Sequence, residues 1–336
     1  MEHTALIAEL DELVAETYRL WDSGWVTFNW RSYTYDHVQR VRGLARTLCM
    51  REEGDPLVCE LASLLHDITK PYDGEHVVDA EGKRVVDANG FWHNAPRPPA
   101  RSNEVTALYD ALGLAGQLHN VSGAVVAEHL LRRRGVDAVT CERVAQAIHD
   151  HLRTPSGAPV ESCCLSDADT IDANIGLPAF VRNIYIHLHF RDQRLAPGDV
   201  PTDVLLREAP LDYLRPYICE SLPLWSEGKQ RDFVPALFTA AGVRIAQERL
   251  AALTATWDLL RRELDAFEVA SKRGGDGGGA PLYATSRRSE YRRRDDLSLR
   301  DLAGCRSCPP GGAGLGRKAP AGDGRLVLSG DRCLPP

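Results

Sequence analysis

Residues 61–74, LASLLHDITKPYDG, are mainly apolar for five positions and then set His66 and Asp67 side by side, with Lys70 close behind and Pro71 and Gly74 as breaks. Imidazole and carboxylate are the groups that hold divalent ions able to activate water, since both are good ligands at neutral pH and neither is redox-labile. Comparable residues occur on other segments: His37, His119, the close pair His149 and His151, and Asp167, Asp169 and Asp172 in LSDADTIDA. Singly, each has a plainer explanation. A histidine near a helix end is often a cap or a partly buried structural residue, and carboxylates at a helix start are favoured by the macrodipole. His3, His76, His93, His187 and His189 fit that plainer explanation, and His129 fits a core or surface role on an apolar helix.

The segments that must position these residues carry helical periodicity. Val38, Val41, Leu44, Ala45 and Leu48 recur at threes and fours between Asp36 and Met50, with His37 on the first turn. Residues 1–22 repeat the pattern with acidic spacing, and residues 57–68 form a more uniformly apolar helix whose C-terminal end delivers His66 and Asp67. Helical pattern resumes near Val105 and runs through 122–134, 139–152 and 163–175, then 177–192 and 230–270. Between them, HVVDAEGKRVVDANGFW holds two β-branched runs about Glu81-Gly82, with a second turn at Asn89-Gly90, and reads as a small hairpin. It belongs to an insertion over residues 72–104, placed after the His-Asp pair as a lid or specificity element. Strand-helix alternation and internal repeats are absent from the sequence, so the expected fold is all-α, a helical bundle over residues 1–270 with a small β-hairpin and loop insertion.

Taken together, the order His, His-Asp, His, His, Asp over successive helices resembles the HD superfamily of metal-dependent phosphohydrolases. YDHVQRVRGLARTL resembles the first His helix of that family, LASLLHDITK its His-Asp segment, LHNVSGAVVAEHLL its third motif, VAQAIHDHL its fourth and LSDADTIDA its final Asp, so that the core motifs span residues 37–172. LFTAAGVRIAQERLAAL is similar to the last helices of a small bacterial branch, placing C-terminal helices over 177–270. The resemblance implies an HD-domain helical bundle in which His37, His66, Asp67 and Asp169 surround one metal, and Asp67 bridges to a second held by His119 and His151. His149 is the alternative to His151, and Asp169 is preferred to Asp167 as the Asp of the Ala-Asp step. The insertion is the departure from the compact form of the family.

Such a centre implies one or two divalent ions, Mn²⁺, Mg²⁺, Fe²⁺, Co²⁺ or Ni²⁺, and hydrolysis of a small phosphorylated substrate, a nucleotide or cyclic nucleotide foremost. Asp67 and Lys70 are the candidate catalytic residues. Lys70, with Arg97, Arg101 and Asn103 of the insertion, is a candidate for substrate contacts, an ammonium being suited to a nonbridging phosphate oxygen. Two alternatives use the same residues: a di-iron oxygenase on the same scaffold, and a non-catalytic ligand-binding module.

Composition narrows the setting. With 43% hydrophobic residues among 336, the chain can bury a core without staples. Its net charge is −7, yet residues from Ser271 onward carry 13 Lys and Arg against 7 Asp and Glu, leaving −13 on residues 1–270. So acidic a body is a poor partner for duplex nucleic acid. The sequence has no apolar run of membrane-spanning length, and the acidic N-terminal stretch lacks the pattern of a secretory signal, so a cytoplasmic location is expected. Nine cysteines scattered through helix-like sequence do not form a disulfide framework, and the single CxxC of Cys305 and Cys308 is weak as a zinc motif. Residues 271–336, rich in Gly, Pro and Arg, are expected to be disordered.

Overall fold

The computed structural model describes residues 3–21, 35–73, 98–181, 197–208 and 217–274, together with 75–77, 79–80, 85, 94–95, 195 and 215. Its helices are α1 (His3–Tyr18), α2 (Tyr35–Arg51), α3 (Pro56–Leu65), α4 (Glu104–Ala111), α5 (His119–Arg133), α6 (Ala138–Asp150), α7 (Val160–Asn174), α8 (Thr202–Glu208), α9 (Leu222–Asp232) and α10 (Ala240–Gly274). The all-α expectation holds. Residues 177–181 continue helical after α7, while 182–194 and the tail from 275, including Cys305 and Cys308, lie outside the described residues. No helix among the described residues is long and apolar enough to cross a membrane.

At the centre is α3, which follows directly from its sequence. Asp55 caps it by accepting from the backbone N–H of Leu57 and Val58, and Pro56 sits where no N–H is needed. Every residue from Val58 to Leu65 is buried, because α1, α2, α6 and α7 pack around it. A helix buried on all sides reads as uniformly apolar. By contrast α2 turns Val38, Val41, Leu44, Ala45 and Leu48 inward and leaves its other face to water, as its threes-and-fours spacing dictates.

The chain leaves helical geometry after Leu65, earlier than the apolar pattern suggests. His66 to Thr69 form a turn, followed by a 3₁₀ segment at Lys70–Asp73. That turn is pinned to the start of α5, where Thr69 Oγ1 donates to the His119 carbonyl (3.1 Å) and bonds Ser122 Oγ (2.8 Å). The approach is close enough to require Gly123, since a Cβ there would lie 3.3 Å from the His66 carbonyl oxygen. Tyr18 holds the turn from the other side, donating its hydroxyl hydrogen to the Asp67 carbonyl (3.0 Å). Tyr72 then stacks on Tyr109 (centroids 3.8 Å apart), with Trp21 edge-on to it at 4.9 Å.

In the insertion, Glu75–His76 pairs antiparallel with Asn94–Ala95, and the Val85 N–H donates to the Val77 carbonyl across the expected Glu81-Gly82 turn. Residues 81–84 and 86–93, with the expected Asn89-Gly90 turn, lie outside the described residues. At the far end, α7 and α10 are locked by Asp167. Its carboxylate accepts from the N–H of Phe238 and Thr239 (2.8 Å each) and from Thr239 Oγ1 (2.7 Å), immediately before α10 begins.

Candidate metal centre

The ends of three helices, the middle of a fourth and one turn converge on Asp67. His37 comes from the first turn of α2, His119 from the first residue of α5, His151 from the C-cap of α6, and Asp169 from the middle of α7. All are buried. The two carboxylate oxygens of Asp67 divide the imidazoles between them. Oδ2 faces Nε2 of His66 at 3.5 Å and of His37 at 3.7 Å, whereas Oδ1 faces Nε2 of His119 at 3.4 Å and of His151 at 3.8 Å. Asp169 Oδ1 stands beside the first pair, 3.2 Å from His37 Nε2.

Each imidazole is held from behind. Nδ1 of His66 donates to the Ser63 carbonyl (2.8 Å) and Nδ1 of His151 to the Ile148 carbonyl (2.6 Å), both one helical turn back. Nδ1 of His37 donates to Asp172 (2.7 Å) and Nδ1 of His119 to Asp73 (2.8 Å). A carbonyl can only accept, so His66 and His151 carry their proton on Nδ1 and present an Nε2 lone pair to Asp67. Burial lowers the pKa of both, in His151 to about 3 with His119 and His66 adding to the effect, so both are neutral. Burial opposes ionisation of Asp67 as well, but His66, His119, Lys70 and His37 hold it well below the usual carboxylate range.

Neutral lone pairs therefore point at an ionised carboxylate, acceptor against acceptor. Nε2 of His66 and of His151 are buried with no hydrogen-bond partner. Buried polar atoms are seldom left so. A divalent cation between them relieves the arrangement, and the donor set, imidazole and carboxylate with outer hydrogen bonds fixing each ring, is one that such ions accept. Among the described residues, two groups of three could hold a metal ion, His37, His66 and Asp67, and Asp67, His119 and His151, with Asp67 common to both. The residues present thus fit the ions that the sequence implied.

His37 differs from His66 and His151. Burial disfavours its protonation, but Asp169 and Asp172 outweigh burial and raise its pKa to about 9. Asp172 also binds Arg40, from Nε to Oδ1 (2.8 Å) and from Nη2 to Oδ2 (3.1 Å), and its own pKa falls to about 2, burial opposing and the His37 and Arg40 partners prevailing.

Other expected residues fall elsewhere. Between His149 and His151 the geometry takes His151, since the His149 side chain is 57% exposed and its carbonyl only anchors Asn120 (2.6 Å). Asp167 faces α10, as described. His129 is exposed, bonding the Val125 carbonyl one turn back. Lys70 reaches the cluster, with Nζ 3.3 Å from Asp73 and 3.4 Å from His119 Nδ1, by way of the turn and 3₁₀ segment and not along a continuous helix. Asn103, expected to contact substrate, is instead the N-cap of α4. Its Oδ1 accepts from Val105 N and Thr106 N, and its Nδ2 donates to Thr17. Arg101 donates to the Arg19 carbonyl (3.1 Å) and lines an open groove with Glu9, Glu16 and Arg19, whose walls include none of the Asp67 cluster. Arg97 lies outside the described residues.

Sequence reasoning gives no site role to Asp73 or Tyr18, and names Asp172 among the candidate carboxylates without assigning it a place beside either ion. Asp73 follows Lys70 by three positions, the spacing that pairs them here, and Asp172 follows Asp169 by three, which puts both on one face of α7. Those spacings were the available signal.

The HD domain family matches residues 34–174 of the chain. No curated protein matches. Among solved structures, similar chains include a predicted HD superfamily hydrolase from an uncultured Thermotogales bacterium, 19% identical over 80% of this chain and 99% of its own, TM-score 0.43. Bacillus subtilis YpgQ in complex with ADP is 17% identical over 78% of this chain and 97% of its own, TM-score 0.39. A Lactobacillus plantarum protein is 17% identical over 79% and 99%, TM-score 0.39. Likeness of that degree says nothing of substrate.

Proposed function

We propose that the chain, whose residues 34–174 match the HD domain family, is a metal-dependent phosphohydrolase acting on a small phosphorylated molecule at the Asp67 cluster. The observation that carries this reading is the pair of buried Nε2 lone pairs, on His66 and His151, aimed at opposite oxygens of one ionised carboxylate. In the proposed site His37, His66, Asp67 and Asp169 hold one ion, and Asp67, His119 and His151 hold the second. Ions so placed supply Lewis acidity toward a phosphoryl oxygen and acidify a bound water.

The remaining contributions come from the chain itself. Asp67 keeps both halves of the site in register because each of its oxygens serves a different pair of imidazoles. Asp73 and Asp172 fix the rings of His119 and His37 in orientation and tautomer. Lys70, buried beside Asp73, brings a positive charge to the His119 side, where it can compensate a nonbridging phosphate oxygen. A nucleotide or cyclic nucleotide is the substrate class offered first.

The test is hydrolysis by the full chain of an aryl phosphate monoester, a bis-aryl diester and a panel of nucleotides that includes ADP, with Mn²⁺, Mg²⁺ or Fe²⁺ or with chelator, beside Asp67→Ala. Metal-dependent phosphate release that disappears in the variant is the expected result, and the panel separates monoester from diester. Silence across the panel from protein that retains bound iron would refute the hydrolase and favour oxygen chemistry.

A further inference from the structure

Arg249, on α10, is a half-buried cation that the proposed centre does not use. Its Nη1 is closed off from solvent and has no hydrogen-bond partner, and no carboxylate among the described residues comes within ion-pair distance of the guanidinium. Asp172 acts on it through space, but that carboxylate is already engaged at both oxygens by His37 and Arg40. Burial pushes the guanidinium pKa down, the mark of a cation that has lost water without gaining a counter-ion. A buried unpaired charge is costly and is normally matched.

Two neighbours point the same way. Gly176 (φ +108°) leaves room for the arginine, since a Cβ there would lie 3.2 Å from Arg249 Cδ and 3.6 Å from its Nη1. Two residues earlier, Asn174 is 1% exposed and its Nδ2 also lacks a partner. Arg40, tied to Asp172 yet with a side chain 43% exposed, carries the group of donors to the surface. The two unmatched groups at this end of α7, on Arg249 and Asn174, are thus donors, and Arg40 adds a second guanidinium although Asp172 already engages it. Such a set rejects a cation and matches an oxyanion, whose oxygens fit the planar fork of a guanidinium.

We infer that Arg249, Asn174 and Arg40 form an oxyanion subsite beyond Asp169, behind the His37 imidazole, that takes a phosphoryl group. The group belongs either to the substrate, as a second anionic position away from the bond that is cleaved, or to free inorganic phosphate. The inference rests on the phosphohydrolase reading only for the identity of the anion.

Isothermal titration of the metal-loaded full chain with inorganic phosphate tests it, comparing wild type with Arg249→Met and the near-isosteric Asn174→Asp. Each variant is expected to weaken the phosphate event by about 10- to 100-fold, the range for a lost charge-assisted contact. In phosphate-free buffer Arg249→Met should melt no lower than wild type, because it removes a buried charge that has no partner. Wild-type phosphate affinity in a folded Arg249→Met protein, or in Asn174→Asp should the first variant not fold, would overturn the subsite. So would a clearly lowered Tm of Arg249→Met without phosphate, which marks an arginine kept for structure. Steady-state kinetics then identify the source: a KM raised about tenfold or more in Arg249→Met assigns the phosphoryl group to the substrate, and lost phosphate binding with wild-type KM assigns it to the free anion. Phosphate binding that depends on Arg249, with no hydrolysis of any substrate, would sink the phosphohydrolase reading and leave the subsite standing.

Discussion

The two halves of the Asp67 site should come apart under substitutions that touch neither half directly. Asp73→Ala removes the acceptor 2.8 Å from His119 Nδ1 and the counter-ion 3.3 Å from Lys70 Nζ, while every proposed ligand stays in place. Two effects then add: the His119 ring loses the bond that orients it, and the Lys70 ammonium is left beside a position meant for a second cation. Loss of an outer hydrogen bond to a ligating histidine typically costs ~10–100-fold in metal affinity, or about 1.4–2.7 kcal/mol. The Lys70 charge moves the expectation to the upper end. Asp172→Asn is the mirror experiment. It weakens the hold on His37 Nδ1 and on Arg40, and so should lower affinity in the half that contains His37 and His66, leaving the other half intact. Titration with Mn²⁺ against a chelating indicator, with metal content measured after dialysis at fixed free metal, reads both. Each variant should retain one tight ion where wild type retains two, and Asp67→Asn should retain none. If Asp73→Ala and Asp172→Asn lose the same ion, or if either leaves both affinities unchanged, the division of Asp67 between two ions is wrong.

Other consequences are testable by stability alone. Asn103→Ala should cost about 1 kcal/mol through loss of the α4 cap and leave KM for any hydrolysed substrate unchanged; a raised KM would restore Asn103 to the substrate-binding residues. Gly242→Ala would set a Cβ 2.5 Å from Asp167 Oδ2 and 2.8 Å from Thr239 Oγ1, and should destabilise by about 1–3 kcal/mol as an overpacked contact, read as a lower urea midpoint. Burial raises the folded pKa of Asp167 to about 6, against its hydrogen bonds from Phe238 and Thr239. A carboxyl whose pKa is raised on folding contributes stability that is complete below its unfolded pKa and is lost as pH rises through about 6, at up to ~1.4 kcal/mol per pH unit. Tm of Asp167→Asn relative to wild type should therefore climb between pH 4 and 6.5, and a flat difference would refute the assignment.

Helices with one buried face were legible from the sequence because their spacing is itself the physical cause of their packing. That was so for α2, where Val38, Val41, Leu44 and Leu48 all turn inward. His66, Asp67 and His119 were legible for a different reason, as chemically unusual residues at the ends of apolar runs. What periodicity could not supply was where α3 stops. Residues 57–68 look continuous, yet helical geometry ends at Leu65, because the chain must turn to set Thr69 on His119 and Ser122 and to lay Lys70–Asp73 along the start of α5. Only tertiary contacts decide that. The same limit explains Asn103, whose position in a loop beside the His-Asp pair suggested substrate, although Asn followed three positions later by Thr106 is also a capping box.

His149 and His151 show how burial settles what spacing leaves open. Both sit at the end of α6, two positions apart, and therefore point to different sides of the helix. Ala147 and Ile148 are buried, so the core lies on the side that His151 reaches by turning back over the last turn, its Nδ1 donating to the Ile148 carbonyl. That one hydrogen bond fixes the tautomer, and the tautomer aims the Nε2 lone pair at Asp67 Oδ1. His66 repeats the device with the Ser63 carbonyl and Oδ2. The geometry of the proposed ligands is thus set largely by the last turns of helices, where a carbonyl can hold an imidazole; that of Ile148 takes the His151 Nδ1–H at 2.6 Å alongside a long backbone bond from the His151 N–H at 3.4 Å. An HD segment at a helix terminus can present a lone pair in a fixed direction for that reason.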